Sequence, residues 1–248
     1  MPEPTQKSAP QPRFKRGYTH IIAELGNIHL HDKDSCEQAV HDAFSAGADL
    51  VKLQCINPFT AYWASKAQHE RYVSIYWPMS EWEEFLGKLN KQYDGKVFVS
   101  PFCQSFIPDL SHCLSYWKVA KRMHNDEATI AKMIWSGKPI FFSTNGKDYP
   151  GDKSRYFDRP GVEIYPLYAT DYNVRYDRLA PKVMDALKKR AYAGVSINFG
   201  GEYAINLAKS LSSCQFIEVH VKGANANGPD AAWSLSMSEL EEVRGEIV

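Results

Sequence analysis

A single (β/α)8 barrel is the fold this sequence predicts, on three observations. Eight short runs rich in β-branched and aromatic residues alternate with stretches of helical period. The chain has 248 residues and 44% hydrophobic content, enough for one large core and within the usual size of such a barrel. The turn after the first run, ELGNIH, holds one glycine, whereas the alternative open doubly wound sheet usually carries a Gly-rich phosphate loop there.

Residues 1–17 combine four prolines with Lys7, Arg13, Lys15 and Arg16 and show no hydrophobic period, which is the composition of a disordered tail. Residues 18–248 are read as one barrel domain. The first strand is expected over 19–25, a helix over 35–46 and the second strand over 50–55. A long connection, 57–78, follows, then a helix over 81–93 and the third strand over 96–101. The fourth strand is read at 116–120, a helix at 126–135 and the fifth strand at 139–144. A second long connection, 146–161, leads to the sixth strand at 163–169 and a helix at 178–190. The seventh strand, 193–197, a helix over 203–211, the eighth strand, 216–221, and a last helix over 238–247 complete the series. Several of these helices have Ser, Asp or Asn at the position that caps free backbone N–H groups.

Both long connections follow strands, so both belong to the catalytic face of a barrel. Trp63, Tyr72, Tyr76 and Trp77 in the first either shape a substrate pocket or pin the loop to the surface.

Lys plus Arg and Asp plus Glu both total 29, so no global field draws the chain to nucleic acid or an anionic membrane. The longest apolar runs are strand-sized, too short for a membrane span or secretory segment. Five cysteines without a CxxC pair read as reduced thiols, and the expected location is the cytoplasm.

In a barrel, active-site groups come from the carboxyl ends of the strands. Those ends here carry Glu24, with Asn27 and His29 beyond it, then Lys52 and Gln54, Ser100, Lys118 with Lys121 and Arg122, and Ser143, Thr144 and Asn145. The last two strands add Ser196, Asn198, Glu218, His220 and Lys222. A lysine inside an apolar strand loses hydration and needs a compensating partner. Lys52 paired with Glu24 would be a purely structural answer. Two lysines with the hydroxyls of Ser100, Ser143 and Ser196 also describe a site for a small, multiply charged anion.

HIIAELGNIH, AGADLVKLQ, VSPF, YWKVA, SGKPIFFSTNG, AGVSINF, FIEVHV and GPDAAWS, taken in order, resemble motifs of the N-acetylneuraminate (sialic acid) synthase family. The first two resemble the family's IIAEIGxNHxG and GADxVKFQ, and the resemblance spans about residues 19–240. It implies condensation of phosphoenolpyruvate with the aldehyde of an N-acetylhexosamine, giving a 2-keto sugar acid and phosphate. By the same resemblance, Lys52, Ser100, Lys118, Ser143 and Ser196 hold phosphoenolpyruvate, while Glu24 and Asn27 lie at the aldehyde and sugar end. Gln54, Lys121, Asn198 and Asp230 complete the expected substrate-binding set. Glu24, Lys118 and His220 are the catalytic candidates.

His220 also resembles a ligand of a divalent metal, manganese or magnesium. The second metal histidine of the family is Asn198 here, and an amide oxygen is a much weaker ligand than imidazole. The family's KIASGE reads KVAKRM, with Met123 in the place of a glutamate and Lys121 in that of a serine. The C-terminal antifreeze-like domain usual in the family is expected to be missing, and the resemblance implies a homodimer. Two other readings stay open: a binding relative without turnover, and another lyase or aldolase in which Lys118 or Lys121 forms a Schiff base.

Overall fold

The computed structural model describes residues 14–59, 65–144, 161–170, 176–188, 192–211 and 214–247. Eight parallel strands form a closed ring: β1 (His20–Gly26), β2 (Leu50–Cys55), β3 (Val97–Pro101), β4 (Trp117–Val119), β5 (Ile140–Thr144), β6 (Ile164–Ala169), β7 (Gly194–Ile197) and β8 (Phe216–Lys222). Each pairs with the next, and β8 pairs with β1 from His20↔Phe216 to Glu24↔His220. This is the expected (β/α)8 barrel, with every expected strand present. A short β9 (Leu235–Ser236) adds a parallel bridge to the end of β8.

The helices are α1 (Lys33–Ser45), α2 (Lys66–Ser74), α3 (Met79–Gln92), α4 (Phe106–Leu110), α5 (Glu127–Trp135), α6 (Tyr176–Lys188), α7 (Gly201–Ser210) and α8 (Met237–Ile247). Their apolar stripes cover the outside of the ring: Ala39, Val40 and Ala43 of α1 and Trp82, Phe85, Leu86 and Leu89 of α3 are buried against it. Asp32 caps α1 by accepting from the Asp34 N–H, and Asp126 caps α5 by accepting from Thr129 N–H at 3.0 Å. The last helix is stitched to the first strand, because Arg244 donates to Gly47 O at 2.8 Å and Thr19 O at 3.2 Å and pairs with Asp49.

The amino-terminal end of the barrel is plugged by Phe14. Its ring lies 4.7–5.9 Å from those of His20, Tyr116, Phe141, Tyr165 and Phe216. Phe14 falls in the segment expected to be tail; residues 1–13 of that segment lie outside the described residues.

The first long connection contains α2, a helix the apolar pattern does not announce, since Tyr72 is its one buried residue. Its aromatic residues divide between the two expected roles. Tyr72 faces the cavity described below, whereas Trp77 packs on Trp82 and Phe85 and donates to Leu30 O at 2.7 Å. Tyr76 meets the exposed Phe59 edge-on at 5.4 Å. Trp63, Asn145 and nearly all of the second connection lie outside the described residues.

Candidate active site

Strand register decides which side chains meet. Glu24 lies beside Lys52 on one side and His220 on the other, Ser196 beside Glu218, and Gln54 beside Ser100. A parallel barrel turns alternate residues inward, so these positions converge at the carboxyl end of the ring. All of them but Ser100 line a cavity of about 540 Å³.

Its floor is an ion network. Lys52 pairs with Glu24 and sits 3.3 Å from Glu218 Oε1; Lys118 sits 3.2 Å from the same oxygen. Ser196 donates to Glu218 at 2.7 Å, and Lys118 donates to Ser143 Oγ at 2.5 Å. Lys52, Lys118, Glu24 and Glu218 are each 3% exposed or less, so these charges are carried almost wholly by one another. Burial brings the Lys52 ammonium down to about 7, Glu218 opposing and Lys118 adding to the fall. Burial also lowers Lys118, again opposed by Glu218. For Glu218 itself burial acts upward, but Lys118, Lys52 and the Ser196 hydroxyl outweigh it and hold the carboxyl at about 2. Glu218 thus bridges the two lysines, a role its strand-end position alone does not reveal.

A second layer sits above. Asn27 donates to Gln54 at 2.8 Å, and Gln54 donates to Glu24 at 3.4 Å. Arg71 of α2 donates to Asn27 Oδ1 at 2.9 Å, and Arg122 donates to Gln54 Oε1 at 3.4 Å while lying 4.1 Å over the Phe102 ring. Arg71 stands at no expected site position, and Arg122 is expected at the end of the fourth strand without an assigned role. Arg122 had the signal of its strand-end place; Arg71 had none, because the helix that delivers it was unread.

Of the expected site residues, Glu24, Asn27, Lys52, Gln54, Lys118, Lys121, Ser143, Ser196, Asn198, His220 and Asp230 all line the cavity. Ser100 does not; it is fully buried at the end of β3, and its hydroxyl has no hydrogen-bond partner among the described residues. His29 serves the scaffold instead. Its Nε2 accepts from the Gly223 N–H at 3.2 Å, which leaves Nδ1 as the protonated nitrogen facing Ser35 Oγ at 3.5 Å.

The donor set does not fit a transition metal. Among the described residues no three His, Cys, Asp or Glu are placed to hold an ion. In place of a second imidazole the site offers the Asn198 amide oxygen, a weak ligand, while Glu24 and Glu218 are engaged by lysines, and His220 is left with Asp230 as the carboxylate that acts on it most strongly. Burial holds the His220 imidazole down at about 4, so it is neutral at pH 7.

A closed parallel barrel with a charged cavity at its strand ends defines a TIM-barrel protein that carries its polar groups where such barrels carry active sites. The chain belongs to the NeuB family, whose model matches residues 39–248. It is 29% identical over 140 residues to the pseudaminic acid synthase of Helicobacter pylori (strain ATCC 700392 / 26695). That match covers 50% of this chain and 41% of the curated relative, less than half of that protein's length.

Among solved structures, the N-acetylneuraminic acid (sialic acid) synthetase from Leptospira borgpetersenii serovar Hardjo-bovis, in complex with citrate, superposes with a TM-score of 0.76 at 18% identity. The match covers 92% of this chain and 81% of that one. The spore coat polysaccharide biosynthesis protein spsE of Bacillus subtilis gives 0.69 at 20% identity, covering 94% of this chain and 68% of that one. At these identities the likeness shows the fold. All five cysteines are free thiols, and among the described residues no helix is long and apolar enough to cross a membrane.

Proposed function

We propose that the chain condenses phosphoenolpyruvate with the aldehyde of a sugar, producing a 2-keto sugar acid and free phosphate in the cytoplasm. The observation that supports this best is the floor itself: two buried lysines and the hydroxyls of Ser143 and Ser196 converge on one cavity around a shared carboxylate. Phosphoenolpyruvate is a small, multiply charged anion, and ammonium groups with short hydroxyl donors match its carboxylate and phosphate.

The bonds balance as follows. C3 of phosphoenolpyruvate joins the aldehyde carbon, water adds at C2, and the C2–O bond breaks to release phosphate. The aldehyde oxygen gains a proton and the water gives up both of its own, one to that oxygen and one carried off with the phosphate, which leaves the C2 oxygen as the ketone. His220, neutral at pH 7, suits that transfer, because it can accept from the water and donate onward. Lys118 and Lys52 hold charge beside the phosphate as it leaves. Glu24, through its bond from Gln54, orients the amides that face the sugar.

The test is calorimetric titration of phosphoenolpyruvate into metal-stripped protein, with and without manganese, and into Lys118→Ala. The expected result is binding that does not need manganese and is about tenfold to a hundredfold weaker in the variant, the range for losing one charge-assisted contact. No binding by the wild-type chain under either condition sinks the reading.

A further inference from the structure

The deep cations of the cavity are matched, since Lys52 and Lys118 share Glu218 and Lys52 also meets Glu24. Among the described residues, the guanidiniums of Arg122, which lines the cavity, and of Arg71, which reaches it through the lining residue Asn27, are not. Arg71 donates to the Asn27 side chain at 2.9 Å and to Asn227 O at 3.4 Å, and Arg122 donates to the Gln54 side chain at 3.4 Å. Every one of those acceptors is neutral. Asn27 donates to Gln54 at 2.8 Å, so the two guanidiniums stand at opposite ends of one amide pair.

Neither arginine has a carboxylate partner among the described residues, and each keeps most of its five donors for another oxyanion. The surroundings hold them in place. A Cβ at Gly228 would meet the Arg71 guanidinium at 2.1 Å, so the loop is bare there, and the Phe102 ring supports Arg122 from below at 4.1 Å. The turn that carries Arg122 also presents Lys121 and His124 to the cavity. It reads Lys-Arg-Met where the resembling motif reads Ser-Gly-Glu, an exchange that adds two cations and removes an anion.

We infer that the two guanidiniums form a second oxyanion subsite, taking a phosphate or carboxylate carried by the acceptor, so that the aldehyde used here is an anionic sugar. The inference rests on the condensing reading, which gives the floor lysines to phosphoenolpyruvate and leaves the arginines to the acceptor. A planar guanidinium binds either oxyanion through two parallel N–H groups.

Calorimetric titrations with an N-acetylhexosamine, its 6-phosphate and a hexuronic acid test this, beside a titration with phosphoenolpyruvate. The anionic sugars are expected to bind at least about tenfold tighter than the neutral one, with the larger gain naming phosphate or carboxylate as the group. The Arg71→Gln/Arg122→Gln double variant is expected to lose that advantage while still binding phosphoenolpyruvate; because Arg122 also acts on Lys52 through charge, the readout is the ratio of anionic to neutral sugar affinity within each protein. Because Arg71 also tethers α2, Arg122→Gln alone serves as the second variant and is expected to lose part of the same advantage. Equal binding of neutral and anionic sugars, or an advantage that survives the double variant, overturns the subsite alone. Absence of phosphoenolpyruvate binding overturns the condensing reading and the subsite with it.

Discussion

Lys52 carries the pH sensitivity of the floor. Its ammonium titrates near 7, because burial disfavours the charged form and Lys118 repels it. An anion beside Lys52 favours the charged form, so binding above neutral pH must take up a proton. The Kd for phosphoenolpyruvate is therefore expected to rise as pH climbs past about 7, approaching tenfold per pH unit for one obligatory proton. Titrations from about pH 6 to 9 read this directly, and a flat Kd would show that the protonated amine is not the binding form. Most single residues of the site were legible because a lysine or glutamate in an apolar strand stands out. Glu218 was visible as a strand-end carboxylate but not as the bridge between Lys52 and Lys118, since its partners are set by register across β7, β8 and the barrel interior.

At the scale of elements, the strands were readable and helix α2 beside the cavity was not. Runs such as 50–55 and 216–221 are bounded and β-rich, so packing and propensity agree there. The α2 sequence KAQHERYVS buries Tyr72 alone, so no apolar period marks it. Its legible signal was Ser65, whose hydroxyl caps the helix by accepting from Gln68 N–H at 3.2 Å. What holds α2 beside the cavity is Arg71, and Gly228 makes room for it with φ at +134°. Gly228→Ala forces a side chain into that backbone region and against the guanidinium, at a cost of about 1–3 kcal/mol. The expected outcome is amide exchange in 66–74 at least about tenfold faster, seen by hydrogen-exchange mass spectrometry, with the barrel strands unchanged. Unaltered exchange there would mean that Arg71 is not the tether.

For the whole molecule, the two ends of the barrel have separate tasks. The amino-terminal end is closed by the aromatic cluster around Phe14, and the carboxyl end holds the charged cavity. Phe14→Ala empties the plug and is expected to cost about 3 kcal/mol, roughly 6–12 °C in Tm for a chain of this size, while phosphoenolpyruvate affinity stays at the wild-type value. A thermal melt with an unchanged midpoint would show that the plug adds nothing to the barrel. This contribution was hidden in the sequence because Phe14 is a lone aromatic residue in a proline-rich, basic stretch.

The pairing of Lys52 and Lys118 with Glu24 and Glu218 has a consequence for how the molecule comes into being. Bare ammonium groups in such a pocket would have to shed their protons or stay wet until an anion arrived. Here the counter-charges are encoded in the same polypeptide, on β1 and β8, so the ring closes around an interior whose charges are balanced before any anion enters.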